Sequence, residues 1–188
     1  MQHEYNSMRR QQIQPYLFIL GISLLAMGCF NEPNYSNTPE ITNVVVFPYK
    51  NLAGGTGVGQ SRRDSVVITI GFRDGDGNLG NDLPLVKADS IRYASNGGWG
   101  NYRLTTLRLV NNRYEEINLA VNQTLIFPNL AKGRPAGPIE GTLDFNSTFQ
   151  YGTTYRLYPV KFRVQIRDRD LNVSNVIETD TISLPFQR

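Results

Sequence analysis

The chain has 188 residues with 19 Lys plus Arg against 16 Asp plus Glu, and is 40% hydrophobic, 19% charged, with one Cys and one His. The length suits one ordinary domain, and the low charge with 10 Tyr and 9 Phe favours strands over disorder or coiled coil. One cysteine excludes an internal disulfide framework and any multi-cysteine metal site, and scattered Lys and Arg give no patch for nucleic acid.

The first element is the only long apolar run, Tyr16 to Gly28, which follows Arg9 and Arg10 and ends at Cys29. A basic start, a short apolar stretch and a small residue before the cut are the parts of a secretory signal. At about 13 residues the run falls short of the ~20 that a spanning helix needs. Ala26-Met27-Gly28-Cys29 resembles the lipobox of bacterial lipoproteins, although that family usually has Leu where Ala26 stands. The resemblance implies cleavage before Cys29, a covalent lipid such as palmitate on Cys29, and attachment to the outer membrane. The alternative is a buried thiol closing a hydrophobic helix. Phe30 to Pro39, with its Asn, Ser and Pro, reads as a flexible tether. The expected division is therefore 1–28 signal peptide, 29–39 lipidated Cys and tether, and 40–188 domain. Loss of the leader removes His3, so Ser-His-Asp or Cys-His catalysis and metal sites built on imidazole or thiolate are excluded.

Alternation with period two then recurs along the domain. Val66, Ile68, Ile70 and Phe72 fall on one face, with Thr69, Gly71 and Arg73 on the other; Phe162, Val164 and Ile166 oppose Arg163, Gln165 and Arg167 in the same way. Further strands are expected at Ile41–Phe47, Tyr102–Val110, Arg113–Leu119, Thr124–Phe127, Ile139–Phe145 and Val173–Leu184. Asn111-Asn112 suits a primed hairpin turn. Gly54–Gln60 and Asn129–Pro138 read as loops, and no segment reads as a helix. Many strands without βα alternation predict an all-β antiparallel sandwich with long loops.

Two segments sharpen this. Phe72-Arg-Asp-Gly-Asp-Gly-Asn-Leu-Gly80 resembles the end of the second strand in Ig-like domains of bacterial surface lipoproteins, and Val164 to Asn175 resembles their last hairpin. The resemblance implies an Ig-like β-sandwich, whose topology puts both segments at one end. A minimal domain of that type needs only ~100 residues, and the largest excess here lies between Asn81 and Asn101.

Asp74, Asp76 and Asn78 alternate with glycines, the spacing that lets a tight loop gather oxygens around a hard cation such as Ca2+. An EF-hand is excluded, because Leu79 and Leu85 occupy the positions that would need Gly and Glu. Asp82 is a further candidate ligand, and the Ig-like topology would bring Asp168 and Asp170 alongside. The competing reading is turn chemistry alone, with Arg73, Arg167 and Arg169 neutralising the aspartates. Near this end Tyr93, Trp99 and Tyr102 lie in or beside a glycine-rich stretch, either as an exposed platform for a ligand or with Trp99 folded back as a plug. The expected function is a non-enzymatic, lipid-anchored envelope module for a protein or glycan partner. The alternatives are a calcium-stiffened spacer or assembly subunit and, from a different class, a carboxylate-based hydrolase.

Overall fold

The computed structural model describes residues 32–52, 54, 62–119 and 125–187. Cys29, the signal segment and most of the Gly54–Gln60 loop lie outside the described residues. The chain divides into two compact units, Met1–Pro33 and Asn34–Arg188, and the fold is that of the second.

It is mostly β. Among the described residues the strands are β1 (Glu40–Leu52), β2 (Arg63–Asp74), β3 (Tyr102–Val110), β4 (Arg113–Ile117), β5 (Ile139–Gln150), β6 (Tyr155–Ile166), β7 (Ile177–Glu178) and β8 (Ile182–Gln187), with one helix, α1 (Lys87–Ser95), between β2 and β3. One sheet has the order β1-β2-β5; the other has β4-β3-β6-β7, with β8 also paired to β6. All pairings within the two sheets are antiparallel.

Register follows the alternation that defined the strands. In β2, Val66, Ile68 and Ile70 are wholly buried, and in β6 Val160, Phe162, Val164 and Ile166 are too. These two rows meet with Leu104, Phe149 and Leu184 in one core between the sheets. Removing such apolar faces from water is the main stabilising term, roughly 25 cal/mol per Å2. The β3–β4 hairpin turns on Asn111 and Asn112, both at positive φ (48° and 61°), with Val110 paired to Arg113. Asparagine tolerates that left-handed geometry, which matches the twist of the flanking strands.

Several expectations are corrected. A helix exists in the long Asn81–Asn101 insertion, where none was expected. Leu125 makes only an isolated bridge to Tyr102, and Phe127 belongs to no strand; the Phe127 N–H donates instead to the Asn101 side-chain oxygen (2.8 Å). Thr124 lies outside the described residues. Val173–Leu184 is two short strands rather than one, and β1, β5 and β6 extend beyond the alternating stretches. The inside–outside rule also fails at Gly71 and Arg167, both buried. Gly71 is covered by Asn43, whose Oδ1 accepts its N–H (2.9 Å) at a β-bulge in β1.

Candidate functional site

β2 ends at Asp74, and the chain turns through Gly75–Gly80. Gly77 (φ 69°) and Gly80 (φ 82°) take left-handed backbone that a side chain would strain. On the other sheet, β6 ends at Ile166 and the chain reverses through Arg167–Asn172, with Leu171 at φ 70°. The two turns are joined: the Arg169 N–H donates to the Asn78 carbonyl (3.2 Å), and Asn78 Nδ2 donates to Asp170 Oδ2 (2.8 Å). The shared end expected for the two motifs is therefore observed.

Within this end the aspartates are not equivalent. Asp76 accepts from the Asn78 N–H and Nδ2, both at 3.2 Å, an Asx turn closing its own loop. Asp168 accepts from the Asn172 N–H (2.8 Å) and Nδ2 (2.7 Å), which closes the opposite turn. Asp74 is wholly buried, and neither of its carboxylate oxygens accepts a hydrogen bond of normal geometry. The Gly77 and Asn78 amides ease its charge, yet burial, then Asp76 and Asp168, push its pKa up to about 7. Burial also raises Asp168, against the pull of Asn172. Asn78 Oδ1 is likewise buried without a donor.

The arginines expected to neutralise these carboxylates do something else. Arg73 pairs with Glu140 (3.6 Å). Arg169 donates to the Gly80 carbonyl (3.0 Å). Arg167, 2% exposed, donates from Nε to the Gly100 carbonyl (2.7 Å), from Nη1 to that of Asn96 (2.7 Å), and from Nη2 to that of Trp99. The closest charge partner of the cluster is Arg92, 4.0 Å from the exposed Asp170. Asp82 stands apart, exposed and paired with Lys132 (3.3 Å). Among the described residues, no three His, Cys, Asp or Glu side chains converge on a single metal-sized point.

Tyr93 and Tyr102 are buried and present no ring to solvent. Tyr93 donates to Asn81 Oδ1 (2.5 Å), and Tyr102 stacks on Phe145 with centroids 5.6 Å apart. Trp99 is half-buried, with the Arg167 guanidinium carbon 4.1 Å from its ring centroid. The segment before β1 is packed on the same end. The Gly75 N–H donates to the Ser36 carbonyl (2.8 Å), and Tyr35 donates to Glu140 Oε2 (2.7 Å). A Cβ on Gly75 would stand 2.9 Å from Asn37 Oδ1, so only glycine admits this approach.

Sequence reasoning missed the buried polar triad beneath α1. Asn101 Nδ2 donates to Asn81 Oδ1 (3.0 Å) and to the Phe127 carbonyl (2.9 Å), holding three loops together. The only available signal was asparagine at the two ends of the insertion. Comparison with protein-family models, with curated proteins and with solved structures returned no match to this chain.

Proposed function

We propose that this chain is a lipid-anchored, non-enzymatic Ig-like module of the bacterial cell envelope that binds a protein partner through the outer face of its three-stranded sheet. The strand order 1-2-5 facing 4-3-6-7, antiparallel throughout, supports the Ig-like reading. The apolar run ending at the sole cysteine supports the anchor. One observation carries the binding role: along β1, Val45, Phe47 and Tyr49 point away from the core and are 44%, 50% and 55% exposed. Their outward neighbours on β2 are Thr69, Val67 and Ser65, so the β1–β2 part of the face is apolar with hydroxyls, and the charge in those rows is confined to β5, where exposed Asp144 accepts from Thr69 Oγ1 (2.6 Å). An aromatic and aliphatic row of this kind suits an apolar protein surface better than a glycan or an anion.

No described strand pairs with the other edge of β1. Pro48, which lacks an N–H, blunts that edge against strand addition, so the partner docks on the face. The shifted carboxylates, Asp74 and Asp168, are wholly buried, which supports a structural rather than a hydrolytic role for them. A photo-crosslinking residue at position 47, in cells, should give one discrete adduct that disappears with Val45→Lys. The same residue at Glu116, on the other sheet, should give none. Equal adducts at both positions, or none at 47, would refute the binding face.

A further inference from the structure

The acidic end contains an imbalance that its own hydrogen bonds do not resolve. Asp76 and Asp168 are satisfied by Asn78 and Asn172, whereas both oxygens of wholly buried Asp74 have only the poorly aimed Gly77 and Asn78 amides nearby, and the Oδ1 of Asn78 has no donor. The Asn78 amide cannot turn round to supply one. Its nitrogen is the atom that donates to Asp76 and Asp170, so its oxygen must face the other way. Nor, among the described residues, does a cation pair with Asp74, and the neighbouring Arg73, Arg167 and Arg169 are committed to Glu140 and to backbone carbonyls. Buried oxygens bearing lone pairs and negative charge, without protons to receive, need a positive partner.

We infer that Asp74 and Asn78 are the protein ligands of a calcium-type cation site seated between the turn after β2 and the turn after β6. Asp76 and Asp168 lie in its immediate field and add negative charge without being freed from their asparagines. This inference goes beyond the binding role proposed above and does not depend on it. The donor set is all oxygen, which selects a hard cation over zinc or copper. Calcium tolerates irregular shells of six to eight oxygens that include amide oxygens, carbonyls and water, whereas magnesium demands a strict octahedron and surrenders water reluctantly. With few protein ligands, affinity should fall in the ~10⁻⁴–10⁻³ M range of extracellular modules. Both ligands belong to the turn after β2, so an ion there would stiffen that turn, against which the segment Tyr35–Asn37 also packs.

The test is the melting temperature of the full-length protein in detergent micelles at constant ionic strength, first in chelator and then with CaCl2 raised to 10 mM. Calcium should raise it by about 5–10 °C, and MgCl2 by less than half as much. Asp74→Asn, isosteric and relieved of its buried charge, should fold, melt above wild type in chelator, and lose the calcium response. Asp180→Asn, an exposed charge-matched control, should keep that response. A flat calcium titration, an equal response to magnesium, or an undiminished response in Asp74→Asn would each overturn the assignment. A flat titration combined with strong stabilisation by acid would identify a proton on Asp74 as the occupant instead.

Discussion

Asp74 shows how one residue can be set apart from chemically identical neighbours. Asp76 and Asp168 each accept from the backbone and side chain of one asparagine, whereas Asn78, which follows Asp74 by the same four residues that separate Asn172 from Asp168, gives its Nδ2 to Asp76 and Asp170 and leaves Asp74 with only two poorly aimed amides. Its folded pKa, about 7, stands above the ~3.9 of an unfolded aspartate, and Asp168 is shifted in the same direction. A raised folded pKa contributes stability below the unfolded value, and that contribution is lost as pH rises through the folded one. In chelator, therefore, the melting temperature should be highest near pH 4–5 and fall by pH 8. The share of the stability difference carried by Asp74 should be at most about 4 kcal/mol, because one pKa step is worth about 1.4 kcal/mol. The groups facing Asp74 are Asp76, Asp168 and the Gly77 and Asn78 amides, so no nearby base reverses the sign. Asp74→Asn should flatten most of the pH dependence, and thermal melts from pH 4 to 8 check it. A wild-type profile that rises between pH 5 and 8 would contradict the assignment.

At the scale of elements, legibility tracked whether a segment was half-buried. β2 and β6 were visible because each separates a core face from a wetter one, and the Asn-Asn turn because only certain residues accept its angles. α1 was invisible for the converse reason. Only Tyr93 of its nine residues is buried, and Val86 at its N-cap makes no side-chain cap, so neither an apolar stripe nor a capping signal marks it. What holds it is tertiary: Tyr93 on Asn81, and Arg167 beneath both Tyr93 (4.7 Å) and Trp99. Arg167 was read as outward because charges usually are. It is buried because three carbonyls at the end of the insertion take its protons. Phe127, expected in a strand, needs no strand partner, because the Asn101 side chain offers its backbone the donor and acceptor that a neighbouring strand would. Arg167→Met keeps much of the volume but leaves those carbonyls without a donor, and should cost roughly 2–4 kcal/mol. Arg167→Lys should recover only part, since an ammonium cannot reproduce the planar fork. Hydrogen exchange should show the 87–101 segment opening first in both variants; global destabilisation with that segment still protected would exclude a local anchoring role.

For the molecule as a whole, the two sheets divide their tasks. The core between them accounts for the fold, the outer face of β1 offers an apolar surface, and the acidic end ties turns from both layers. Sandwich class and the shared end of the two motifs were legible because both follow from strand pattern and the topology that the motifs resemble. Which oxygens go unpartnered was not, since that depends on rotamers of Asn78 and Asn172 that no spacing encodes. The compact unit beginning at Asn34 lies only five residues beyond Cys29, so an anchor there would hold the domain close to a bilayer. That anchor gives the proposed module its location, and one measurement reaches it directly: intact mass of the protein extracted from native membranes. The expected mass is that of a chain starting at Cys29 and carrying acyl groups, with the modification lost in Cys29→Ala. A mass corresponding to an unmodified Cys29 with residues 1–28 still attached would contradict the lipid-anchored account.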